Sequence, residues 1–150
     1  MRALRNSLLT AVVALALLPA AASAVDFKSV AAAPAIMFDA PGQKARKLFI
    51  APAGMPVEIV LVNGDWTRVR DASGELSWME SRQLSARRML VVEAPTVTAR
   101  ASASDTATVS FTAAKGVLLE LAEPIASGWI KVKHRDGDTG FVKAADVWGE

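Results

Sequence analysis

Two aromatic residues in this chain stand among cations at the same spacing. Trp66-Thr-Arg-Val-Arg70 and Trp129-Ile-Lys-Val-Lys133 each place basic side chains two and four residues after a Trp. Alternation with period two puts Trp66, Arg68 and Arg70 on one side of a strand, and Trp129, Lys131 and Lys133 on one side of another. A ring flanked by cations on a solvated face offers contact area together with charge. That combination suits an anionic or carbonyl-rich partner. The competing reading is packing, in which each Trp covers the open end of a small barrel or lies against a sister unit.

Other chemistry is thinly supplied. His134 is the single histidine and there is no cysteine, so neither a thiolate nor a histidine-rich metal site can be assembled. No serine sits in a nucleophile elbow or beside a second histidine. Asp136 and Asp138 flank Gly137 in a turn, as Asp71 and Glu75 flank Gly74, where solvated carboxylates are usual. Gly-rich phosphate loops are absent. These residues predict a protein that is not an enzyme and carries no cofactor or metal.

The elements that must position the Trp–cation strands occur twice. Trp66–Trp78 aligns with Trp129–Phe141: both run twelve residues from a Trp to a second aromatic, with Val at three residues and Gly at eight. The match continues six residues further, to Leu84 and Val147. Asp71-Ala-Ser-Gly74 and Arg135-Asp-Gly137 carry turn chemistry, so each unit contains a β-hairpin. An apolar strand precedes each Trp, Val57–Val62 in one copy and Val117–Leu121 in the other. Phe49 and Phe111 each precede a Gly by five residues, and the copies differ by one insertion between that Gly and the Trp. A self-similar unit at fixed spacing is the primary fold signal.

The first 24 residues read as a secretory signal peptide: Arg2 and Arg5, an apolar run Leu8–Leu18, Pro19, and the small-x-small pattern Ala22-Ser-Ala24, with cleavage expected after Ala24. A periplasmic or secreted location follows. Removing Arg2 and Arg5 takes the 17 basic side chains to 15, equal to the 15 acidic ones. The basic balance thus belongs to the signal and gives no argument for nucleic acid. Residues 25–34 read as a linker, 35–88 as the first unit and 89–148 as the second. Short strands, frequent turns and no long helical period outside the signal predict an all-β fold.

These units resemble the bacterial SH3-like (SH3b) domain. The resemblance rests on a small-Gly-x-Trp or Gly-Trp-x-x-Val strand, a Gly-containing hairpin, Trp78-Met79 or Phe141-Val142, a one-turn helix and a final apolar residue. It covers nearly all of Ala35–Trp148. It implies two tandem, five-stranded, partly open β-barrels. It also implies an exported binding or targeting role, with an envelope protein, a peptide or peptidoglycan as partner. In eukaryotic SH3 domains a comparable Trp lines a groove for proline-rich peptides. Phe38, Trp66 and Trp78 resemble that groove's aromatics in the first unit. Glu80 and Gln83 replace its Pro and Tyr, and Ala99-Arg100-Ala101 replaces the surroundings of Phe38 in the second. The ligand-binding set predicted on this basis is Phe38, Trp66, Arg68, Arg70, Trp78, Trp129, Lys131, Lys133 and Phe141.

Overall fold

The computed structural model describes residues 24–150; the signal-peptide expectation lies outside them. The chain folds as two sheets of identical topology. The first holds β1 (Phe27–Val30), β2 (Ala35–Phe38), β3 (Lys47–Ala51), β4 (Pro56–Asn63), β5 (Trp66–Arg70), β6 (Leu76–Glu80) and β7 (Leu84–Ser85). The second holds β8 (Met89–Val92), β9 (Thr96–Arg100), β10 (Val109–Ala114), β11 (Leu118–Ala126), β12 (Trp129–Lys133), β13 (Thr139–Lys143) and β14 (Val147–Trp148). Strand order is β3-β2-β6-β5-β4-β1-β7, repeated as β10-β9-β13-β12-β11-β8-β14. All pairings are antiparallel. A single 3₁₀ turn, Ser81–Gln83 or Ala144–Asp146, leads into the last strand of each sheet.

Two expectations need correction. Each sheet has seven strands rather than five. The stretch read as a linker also contributes a strand of the first sheet. Phe27–Ser29 pairs with Pro56–Glu58 of β4, and Ser29–Val30 pairs with β7. Val30 and Ser29 are fully buried there, and the Ser29 hydroxyl donates to the Arg87 carbonyl at 2.7 Å. The run Ala31-Ala-Ala-Pro34 concealed this strand, which is only four residues long. Its counterpart, Met89–Val92, is followed by Pro95 as β1 is followed by Pro34.

Alternation sets the cores. Val30, Met37, Val57, Val69 and Met79 fill the first, and Leu90, Leu119, Ile130, Val132 and Val142 fill the second. Thr67 and Val69, like Ile130 and Val132, point inward, as their spacing predicts. Thr67 takes the position of Ile130, and its hydroxyl is satisfied by Ser81 Oγ at 2.7 Å. A buried hydroxyl needs such a partner to avoid a desolvation cost.

The turns explain the hairpin sequences. Asp71 Oδ1 accepts from the amides of Ser73 at 2.9 Å and Glu75 at 3.0 Å, and Gly74 adopts φ +88°. His134 takes the place of Asp71: the Asp136 amide points at its Nδ1 at 3.4 Å, and Gly137 adopts φ +100°. His134 is therefore a turn residue, packed beside the Phe111 ring at 5.7 Å. The inserted residue of the second unit lies in β11. That strand carries two register shifts against β12, where β4 carries one against β5. An extra strand residue is absorbed as a bulge of this kind.

The two units meet along a seam built from their ends. The Phe27 ring stands edge-on to Trp148 at 5.0 Å and 84°. The Arg88 guanidinium lies 5.7 Å from the Phe27 centroid, and its Nη2 donates to the Gly149 carbonyl at 2.9 Å. At Gly149, φ is +115° and an added Cβ would fall 3.0 Å from Pro56 Cβ. Only glycine allows the backbone of the second unit to approach the first so closely.

Candidate binding surfaces

Residues directly opposite on antiparallel strands project to the same face, so register defines the outer surface of each unit. In the first, the cross-strand row is Leu61, Arg68, Trp78, Phe38 and Lys47, running through β4, β5, β6, β2 and β3. A second row holds Asn63, Trp66 and Glu80, and a third Glu58, Arg70 and Leu76. The structure thus brings Phe38, Trp66, Arg68, Arg70 and Trp78 onto one face.

Their roles differ. Phe38 is 2% exposed, under the edge of Trp66, with ring centroids 5.2 Å apart at 87°. It cannot touch a ligand without movement of Trp66; it supports the platform instead. Arg70 is held by Glu58 through Nη1, at 3.0 and 2.8 Å to the two carboxylate oxygens. Arg68 is different: among the described residues it makes no ion pair and no side-chain hydrogen bond. It stands between Leu61, which is 51% exposed, and the half-buried Trp78. The loop between β2 and β3 flanks this face. Asp39 pins it by accepting from the Arg46 amide and Nε, and Gln43 donates to Glu80. Glu80 is also bonded by Arg82. These bonds, Arg82 first and then Gln43, hold its carboxyl below the ordinary value of 4.5.

In the second unit the same rows are Glu123, Lys131, Phe141, Arg100 and Val109, then Ala126, Trp129 and Lys143, then Glu120, Lys133 and Thr139. Here the cations are already engaged. Lys131 bonds Glu123 at 2.7 Å and lies 5.8 Å from the Phe141 centroid. Lys143 bonds Asp105 at 2.8 Å and lies 5.7 Å from the Trp129 centroid. Arg100, standing where Phe38 stands, donates to the Ala107 carbonyl at 2.8 Å. Cations parked over rings in this way are stabilised by the ring quadrupole, and the rings are to that extent covered. Lys133 belongs elsewhere. It pairs across the strands with Glu120 and lines the cleft between the units, away from Trp129.

The predicted residues therefore separate into a face with an open cation, Arg68 with Trp66 and Trp78 over Phe38, and a self-satisfied face carrying Trp129, Lys131 and Phe141. Leu61 is the member of the first face that sequence reasoning missed. The bulge between Ile59 and Leu61 reverses the simple alternation of β4. Among the described residues no cluster of three or more His, Asp or Glu side chains could hold a metal ion.

This double fold is that of a known family. The bacterial SH3 domain model matches residues 31–86 and again residues 93–149, and the chain belongs to that family. No curated protein matches the sequence. Among solved structures it is similar to NlpC2 from Trichomonas vaginalis, at 11% identity and TM-score 0.39, with 85% of this chain and 49% of that one covered. It is also similar to an NlpC/P60 family protein from Bacillus cereus, at 15% identity and TM-score 0.37, with 82% and 56% covered. The chain spans about half the length of these proteins.

Proposed function

We propose that this chain is a non-enzymatic binding or scaffolding module of the bacterial envelope, exported to the periplasm or secreted. It recognises a peptide segment, in an envelope protein or in peptidoglycan, through the outer face of its first unit. The observation that carries this reading is Arg68, a guanidinium with no ion pair and no side-chain hydrogen bond among the described residues, set between Leu61 and Trp78, while the nearby Arg70 is held by Glu58. An Arg held among apolar and aromatic groups presents a donor fork for a carbonyl or carboxylate, beside ring area for an adjacent side chain. Further apolar side chains are exposed on the same unit, at Leu48 and Ile50. They favour a polypeptide over a bare glycan.

The test is co-sedimentation of Val25–Glu150 with isolated sacculi, alongside crosslinking in envelope extract. Capture that weakens with salt and falls about tenfold or more in Arg68→Ala supports the reading, because a charge-assisted hydrogen bond is worth about 1.5–3 kcal/mol. Capture that is equal for wild type and Arg68→Ala, or absent in both assays, refutes it.

A further inference from the structure

A cleft of about 880 Å³ lies between the two units. One wall is the chain after β1 with the turn at Ala53-Gly54. The other is β11 and the end of β12, carrying Glu120, Lys133, His134 and Arg135, with Arg87 from the connection between units. The charges that line it are Arg87, Lys133 and Arg135 against one carboxylate, Glu120.

That carboxylate is already taken. Arg87 donates to it through Nε at 3.0 Å and Nη2 at 2.5 Å, one nitrogen to each oxygen. Lys133, opposite Glu120 in the strand register, is left without an ion pair among the described residues. Arg135 has only a distant contact, 3.9 Å from Asp136 Oδ1, while Asp136 Oδ2 lies 3.0 Å from His134 Nδ1. Lys133 also acts on the Glu120 carboxylate at longer range, but three cations against one carboxylate leave an excess of positive charge over a concave surface, which favours an anionic ligand there.

Beside the apolar Met89, Val117 and Leu118, the small residues Ala31, Ala32, Ala53, Gly54 and Gly116 bring backbone to the cleft's surface. Such a lining suits an extended main chain. The volume is that of ordinary small-ligand clefts, about 300–1,000 Å³. The Phe27–Trp148–Arg88 seam holds the two walls in place before any ligand arrives.

We infer that the cleft between the two SH3-like units is a second binding site, separate from the Arg68 face, for a short acidic peptide segment whose carboxylates are met by Lys133 and Arg135. The surface of the first unit and the cleft are then two stations on one molecule, each selecting a different feature of a polypeptide.

Acetyl-triglutamate amide tests this by titration into isotope-labelled Val25–Glu150 at low salt, with acetyl-triglutamine amide as control. The acidic peptide is expected to shift the amides of Ala31, Gly54 and Gly116, and the neutral one to leave them unmoved. Lys133→Ala/Arg135→Ala should weaken the binding read at these cleft amides about tenfold or more; shifts confined to Trp66 and Trp78 would place the peptide on the first face instead and overturn the inference. Both replaced side chains are exposed, so the variant keeps its fold, which its own amide spectrum verifies. Absent shifts at the cleft, equal binding of the neutral peptide, or wild-type affinity in the double variant would each overturn the inference.

Discussion

Trp66→Ala separates a covering role from a platform role by a calculable amount. Trp66 stands edge-to-face with Phe38, which is 2% exposed. Truncating a fully buried Trp costs about 3–5 kcal/mol. Trp66 is half-buried, so about half of that applies, and loss of the edge-to-face pair adds about 0.5–1.5 kcal/mol. The expected loss is about 2–4 kcal/mol. For a domain of 60–100 residues, each 1 kcal/mol lowers Tm by roughly 4–8 °C, so the transition of the first unit should fall by about 10–30 °C. Trp129→Ala is the internal comparison. Arg100 stands where Phe38 would be, and Trp129 is covered by the Lys143 ammonium instead. Trp129 is half-buried like Trp66 but has no edge-to-face partner among the described residues to lose, so its removal uncovers no second ring and a smaller loss of about 1.5–2.5 kcal/mol is expected. Urea unfolding followed by circular dichroism measures both. Equal losses for the two variants, or no loss for Trp66→Ala, would refute the argument that Trp66 is part of a stacked support.

The seam predicts that Phe27→Ala, which removes the ring between Trp148 and Arg88, uncouples the units; calorimetry should then resolve two transitions, and a single unchanged one would contradict it. Gly140→Ala places a Cβ 2.9 Å from Ala99 Cβ. It should cost about 1–3 kcal/mol by overpacking, relieved by adding Ala99→Gly, as urea midpoints will show. The carboxyl of Glu120, bonded by Arg87, and that of Glu80, bonded by Arg82 and Gln43, are held below the ordinary 4.5. A lowered folded value means stability that is fully present above the ordinary 4.5 and lost as pH falls from there through the lower folded value. Tm should therefore drop on acidification below 4.5, less steeply in Glu120→Gln and at high salt, because both pairs are at the surface; a Tm that is flat or rising there would contradict the assignment.

Much of the fold is legible in the residues. Paired spacings of Trp, Val and Gly announce two copies of one hairpin, and period-two alternation correctly sends Thr67, Val69, Ile130 and Val132 inward. These are local properties: strand faces follow from backbone geometry, and turns from the few residues that tolerate positive φ. β1 was hidden for the opposite reason. Four residues carry too little pattern to show a strand, and Phe27–Val30 becomes one only when β4 and β7 supply its hydrogen bonds.

The candidate site divides along the same line. Sequence alone placed Trp66, Arg68 and Arg70 together, and Trp129, Lys131 and Lys133 together, because alternation along one strand needs no neighbours. It could not tell an occupied cation from an open one, since partners come from other strands: Glu58 for Arg70, Glu123 for Lys131 and, among the described residues, none for Arg68. Nor could it show that Phe38 packs edge-to-face with Trp66, or that Lys133 lines a cleft between the two units. The repeat, the strand faces and the turns were determined by the chain's own local chemistry. Which charges remain unsatisfied, and where a partner can reach them, depended on register, bulges and the packing of two units, which place residues far apart in sequence within a few ångströms of each other.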